Sequence, residues 1–350
     1  MFPSNLKTMS VAVVAAVLLG LGFAAYPTAD AQPRRNAPVP APKAGQTGRI
    51  LIWLDEKPRL IKPDGTELPS PDPIPNAHIG VGRGYAHLSP DGTRVAFESA
   101  PDGAGAARVL KILELDGDRK LTAHDAVSVN GYYWMPDGKT LLLRGYEKGG
   151  AGKLEDWLLD PATDKRTAVK VPADFLVRAV GPDGKTTIVD EWKVTPKEWR
   201  QRAHVWKIGT DTPTPLLDMH ASFDNLRPVF SPDGKRLLCK VKHYATYTPL
   251  GNGQFQDADF KFHGLLVVDL ATKKQTVVKD SGEKPEWRIY GYAWSPDGKK
   301  VAYIEESRLP TPPGQPTRNP HRVTVCDPDG KNAKEVYTAH GDWLLGFDWR

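Results

Sequence analysis

Cysteine is scarce in this chain of 350 residues, with two in all. Cys239 and Cys326 form no Cys-x-x-Cys motif and sit among apolar, strand-like residues in different parts of the chain, so a disulfide and two buried free thiols are equally open. Convincing 3.6-residue periodicity is absent after the N-terminal segment, which argues against a helical fold. Charge is not concentrated either: 47 Lys and Arg against 42 Asp and Glu give a net +5 spread along the chain, so nucleic-acid binding is not expected. Catalytic signatures are missing, with no Gly-x-Ser-x-Gly elbow, no His-Glu-x-x-His and no P-loop. The run Gly80-Val-Gly-Arg-Gly84 leads into an apolar strand and not a helix, which rejects a dinucleotide fingerprint.

Glycine and proline are plentiful, 32 of each, as befits a β protein full of tight turns. Eight Pro-Asp-Gly triplets punctuate the chain, and five recur in one context: Leu88-Ser-Pro-Asp-Gly92, Trp134-Met-Pro-Asp-Gly138, Val180-Gly-Pro-Asp-Gly184, Phe230-Ser-Pro-Asp-Gly234 and Trp294-Ser-Pro-Asp-Gly298. Their prolines, at 90, 136, 182, 232 and 296, are 46, 46, 50 and 64 residues apart, the period of propeller blades. Proline presets φ, Asp hydrogen-bonds locally and Gly takes the left-handed conformation, so each triplet is a hairpin turn and its carboxylate is structural.

Each repeat supplies four strands, here a to d from the axis outward. Strand a ends at the turn and strand b follows at once, as in Thr93–Phe97 and Lys299–Tyr303. Strand c includes Val109–Leu113 and Arg322–Cys326, and strand d includes Glu335–Thr338. The chain ends complete the circle: Trp343–Arg350 matches strand a, while Gly48–Trp53, Arg59–Lys62 and Thr66–Pro69 match b, c and d. The expected fold is therefore all-β, a six-bladed β-propeller of four-stranded antiparallel blades over 48–350, sealed by pairing the C-terminal strand a with the N-terminal strands.

Residues 1–31 read as a signal peptide: Lys7 opens it, Val11–Ala25 is apolar apart from two glycines, and Ala29-Asp30-Ala31 offers a cleavage site. The apolar stretch of 15 residues falls short of the ~20 a membrane span needs. Residues 32–47 are a Pro-rich linker. The mature chain is expected to be periplasmic or secreted, monomeric and not membrane-spanning.

The repeated Trp or Phe, Ser, Pro, Asp, Gly, Lys units resemble the TolB-like propellers, also called WD40-like or PD40 repeats, over roughly residues 48 to 350. That resemblance implies the propeller and leaves the activity open, since one architecture hosts unrelated functions.

Two features mark one face. Inserts between strands b and c fall at Glu191–Arg202 with Trp192 and Trp199, at Lys242–His263 with Tyr244 and Tyr247, and at Ser307–His321. Inserts on one face of a repeat protein mark its binding side, although aromatics serve loop cores as readily as interfaces. His78, His124 and His220 each lie twelve residues before a turn proline, Lys170 and Lys284 take the same offset, and His340 lies one residue short of it before the notional turn at 351. Such a ring could hold an acidic ligand or a divalent metal, whereas descent from a common repeat explains the recurrence without a ligand. The first reading is a non-catalytic binding module, with no cofactor, that recognises an envelope protein, a peptide or a glycan through this face. The alternative is an enzyme, a metal-dependent polysaccharide lyase-like protein or hydrolase using the loop histidines; oligogalacturonate lyases resemble this chain in fold class and hold a divalent metal on histidines.

Overall fold

A computed structural model describes residues 48–350, apart from 56, 73–85, 100–107, 125–126, 148–153, 196–197, 217–220, 224–226, 252–253, 284, 308–318 and 342–343. The leader and linker lie outside the described residues. Six antiparallel sheets form the blades of a propeller, and no helix occurs among the described residues.

The split blade is first in chain order. Its inner strand is Leu344–Trp349, followed outward by Ile50–Leu54, Lys57–Ile61 and Glu67–Leu68. Ile50 pairs with Trp349, Leu51 with Asp348 and Ile52 with Phe347. Beyond that ladder the Arg350 amide donates to the Arg49 carbonyl at 3.0 Å, and the Arg49 amide donates back to Arg350. The expected closure is thus the observed one. The second, third and sixth blades begin at His87, Val127 and Trp287 and have four continuous strands each. The fourth runs Phe175–Val180, Thr186–Thr195, Glu198–Lys207 and Thr214–Pro215.

The fifth blade departs from the pattern. Its inner strand is broken into Ala221–Phe223 and Val229–Phe230, both paired with the long strand Arg236–Gly251. Arg227 and Pro228 belong to neither piece, and Pro228, lacking an N–H, cannot donate to the ladder.

Both faces of each blade are covered by neighbours, so the strands read as continuous apolar runs and alternate residues serve opposite gaps. Ile50, Ile52 and Leu54 pack against Ala302 and Ile304 of the sixth blade, while Leu51 and Trp53 turn to Leu88, Val95 and Phe97 of the second. One such buried cluster fills each gap between blades. The Pro-Asp-Gly turns behave as expected. The Ser89 hydroxyl donates to Asp91, the Asp91 carboxylate accepts the Thr93 amide at 3.1 Å, and Gly92 adopts φ +70°. Both cysteines are free and buried; burial pushes the thiols up, to about 12 for Cys239 and about 11 for Cys326.

Two clamps tie blades together. Arg94 stacks 4.9 Å from the Trp134 ring of the next blade and donates to the Gly138 carbonyl, while Trp134 Nε1 donates back to the His87 carbonyl at 3.1 Å. Arg236 and Trp294 repeat the arrangement at 4.6 Å, with Trp294 Nε1 on the Val229 carbonyl at 3.1 Å.

Candidate binding face and axial channel

Strand b runs from the Pro-Asp-Gly face to the opposite face, so every b to c connection emerges on that opposite side. The inserts expected there continue the ladder as hairpins. In the fourth blade pairing runs from Glu191 opposite Arg202 to Thr195 opposite Glu198. In the fifth it runs from Lys242 opposite His263 to Gly251 opposite Gln254. Strand b of the fifth blade has 16 residues against 6 in the second, so at about 3.3 Å per residue its hairpin reaches roughly 30 Å farther. Trp192, Trp199, Tyr244 and Tyr247 all lie on these extensions, with Val194 opposite Trp199 and Tyr244 opposite Phe260.

Three of the proposed His and Lys positions are described, and each lies in or next to an outer strand. His124 ends strand d of the second blade and is 6% exposed; its Nδ1 lies 2.8 Å from Asp164 in the c to d turn of the third. Lys170 follows the outer strand Lys165–Val169 and is exposed. His340 lies in the outer strand Lys334–Gly341, opposite Pro320, and is exposed. Its charge bears on the neighbouring His321, whose pKa burial lowers, with Glu306 and Asp55 pulling the other way. His78, His220 and Lys284 lie outside the described residues. Among the described residues no three His, Cys, Asp or Glu side chains converge as metal ligands. The described positions, His124, Lys170 and His340, lie in or beside outer strands of three different blades.

A different constellation sits on the axis. The broken strand of the fifth blade delivers Arg227 to the second and third blades. Its guanidinium donates to the Tyr132 carbonyl at 2.6 Å, lies 3.2 Å from His87 Nε2 and stacks on the Tyr132 and Tyr133 rings at 5.4 and 4.6 Å. In a ring of six the second and fifth blades are opposite, so this side chain crosses the channel. His87 Nδ1 faces the buried Asp348 of the first blade at 3.9 Å, and Tyr132 meets the imidazole edge-on. Asp348 is fixed in turn: Oδ2 accepts the Leu88 amide at 3.2 Å and Oδ1 the Trp349 amide at 2.8 Å.

The electrostatics follow from burial and these neighbours. Burial holds the His87 pKa below the ordinary histidine range; Asp348 opposes the shift, and the positive charges of Arg227 and Arg350 add to it. Burial raises Asp348, but Arg350 and His87 outweigh it and leave that carboxyl low. Glu98, 1% exposed, is raised by burial although Arg227 and Arg108 pull it down. Next to this layer, Arg178 Nε donates to the buried Asp190 at 2.6 Å. The sequence held a signal for part of the cluster. His87 and Asp348 share one offset, three residues before the turn proline at 90 and its notional counterpart at 351, where other repeats carry Tyr133, Ala179, Val229 and Ala293.

No family model matches this chain, and no curated protein does. Among solved structures it is similar to a protein described as a TolB from Agrobacterium tumefaciens, at 17% identity and TM-score 0.50, over 86% of this chain and 92% of that one. The periplasmic gluconolactonase of Pseudomonas aeruginosa matches at 14% identity and TM-score 0.47, over 86% and 98% of the two chains. An oligogalacturonate lyase from Vibrio parahaemolyticus matches at 14% and 0.43, over 84% and 73%. At such identities the likeness is one of architecture, and the chain is a six-bladed β-propeller with TolB-like and other propellers as its structural neighbours.

Proposed function

We propose that this propeller is an exported, non-catalytic binding module that recognises a protein, peptide or glycan partner at the cell envelope through its hairpin-bearing face. The observation that carries the reading is the fifth-blade hairpin, whose ladder continues past the blade to Gly251 opposite Gln254, with Tyr244 and Tyr247 on this two-stranded arm. The fourth-blade hairpin, with Trp192 and Trp199, projects from the same face. Rigid aromatics offer large contact area at little entropic cost, suiting both protein hot spots and stacking on sugar rings. Export rests on the leader-like composition of residues 1–31.

No observation favours the enzyme reading over this one. It needs loop histidines to converge, and His124 instead turns its Nδ1 to Asp164.

Crosslinking capture from an envelope fraction tests the proposal, comparing the full protein with a variant in which 242–263 is replaced by a two-residue turn. Circular dichroism and thermal melting establish that the shortened blade still folds. Loss of one defined partner with an intact fold supports the reading; equal capture by both proteins removes the hairpin from it.

A further inference from the structure

We infer that Arg227 and His87 form a latch across the axial channel that acid releases. The device is separate from the hairpin face and holds whether or not that face binds a partner. Its geometry fixes a protonation state. A guanidinium only donates, so the 3.2 Å contact from Arg227 to His87 Nε2 requires a lone pair on that nitrogen. The imidazole is then neutral, with its proton on Nδ1, the nitrogen turned toward Asp348. Protonating Nε2 removes the acceptor and sets two cations side by side.

The groups around His87 come from three blades besides its own. Arg227 approaches from the fifth, Asp348 and Arg350 act from the first, and the edge of Tyr132 closes the third side. Asp348 favours the imidazolium, while burial and the two arginines oppose it more strongly, so the latch is closed at neutral pH and needs acidity below the ordinary histidine range to open. A quarter of the His87 side chain, 24%, is open to solvent, so protons reach it without unfolding.

The moving part is local. Arg227 lies between Ala221–Phe223 and Val229–Phe230, two short pieces that pair separately with Arg236–Gly251. Losing the His87 contact removes one of the ties on residues 227–230, beside those to the Tyr132 carbonyl and the two tyrosine rings, while the ladder from Arg236 opposite Asp269 stays intact.

The test uses the full protein with histidine rings labelled in nitrogen-15, the His87 signals being assigned by their loss in H87Q. The expected result is the Nδ1–H tautomer at neutral pH, with a protonation midpoint below ~6.5 that moves up in R227M. Hydrogen-exchange protection of the 227–230 peptide, corrected for intrinsic exchange, falls across that midpoint by about tenfold or more. In H87Q the amide oxygen keeps the acceptor and does not titrate, so protection stays constant with pH. An Nε2–H tautomer, protection that ignores the His87 titration, or the same step in H87Q overturns the latch. Should H87Q fail to fold, assignment passes to R227M, and the wild-type tautomer and protection profile decide.

Discussion

Ile52 and Phe347 stand directly opposite each other in the antiparallel ladder that joins the two ends of the propeller. Ile52 is fully buried and Phe347 is 5% exposed, packed so closely that a Cβ on Gly291 would lie 2.5 Å from the Phe347 Cβ. A propeller closed this way behaves as one cooperative unit, because opening the first blade exposes clusters shared with the sixth and second. Phe347→Ala should cost about 3–5 kcal/mol. Deleting residues 344–350 should abolish the single cooperative transition and leave a form that binds apolar dyes. Urea denaturation followed by tryptophan fluorescence reads both; a truncated protein that melts like wild type would show that the seam is dispensable.

Two of the three Pro-Asp-Gly triplets outside the main repeat, at 63–65 and 328–330, form c to d turns that press against the outer strand of the preceding blade. Gly65 has φ +94° and Gly330 φ +80°, and an added Cβ would lie 1.9 Å from the Val336 carbonyl oxygen and 2.3 Å from that of Val278. Gly117 holds the corresponding turn of the second blade at φ +71° with nothing within 4 Å of such a Cβ. Gly117→Ala should therefore cost only the left-handed penalty, about 1–2 kcal/mol. Gly65→Ala and Gly330→Ala should lose clearly more, since backbone has to move. Equal losses at the three sites would refute the steric account.

The interblade clamp is tested by a double-mutant cycle on Arg94 and Trp134, whose guanidinium and ring are 4.9 Å apart. The coupling between Arg94→Ala and Trp134→Phe should come out at about 0.5–2 kcal/mol. A similar figure is expected for Arg236 and Trp294, at 4.6 Å. Coupling near zero at both sites would mean that the stacking follows from packing and adds nothing to it.

Blade number, turn chemistry and the closing seam were legible because each is local or periodic: the turn residues recur, and Trp349 falls where Trp134, Phe230 and Trp294 fall. The inserts were legible as surplus length, although their hairpin form depends on pairing between Lys242 and His263 that length alone does not show. The histidine series was legible as a recurrence, but period gives height along a blade and says nothing of distance from the axis, so it carries no information on whether the side chains meet. Arg227 was hidden for the opposite reason. Its partners His87 and Tyr132 are 140 and 95 residues away, a separation that no local pattern or period spans.

Asp156 supplies a pH signature. Its side chain is 7% exposed, and burial, only partly offset by Arg144 3.9 Å away, pushes the carboxyl up from the usual 3.8 to about 6. A carboxyl raised by folding favours the folded state when protonated, so its contribution is complete below the unfolded value and is lost as pH rises through about 6. At pH 8 the buried carboxylate burdens the fold by on the order of 2–3 kcal/mol. Asp156→Asn keeps the shape and removes the charge. It should be more stable than wild type at pH 8, nearly equal to it near pH 4, and flatter between. Urea denaturation at a series of pH values measures the difference. An Asn variant weaker than wild type at pH 8 would mean that the ion pair with Arg144 outweighs the desolvation of Asp156, reversing the order of the two effects.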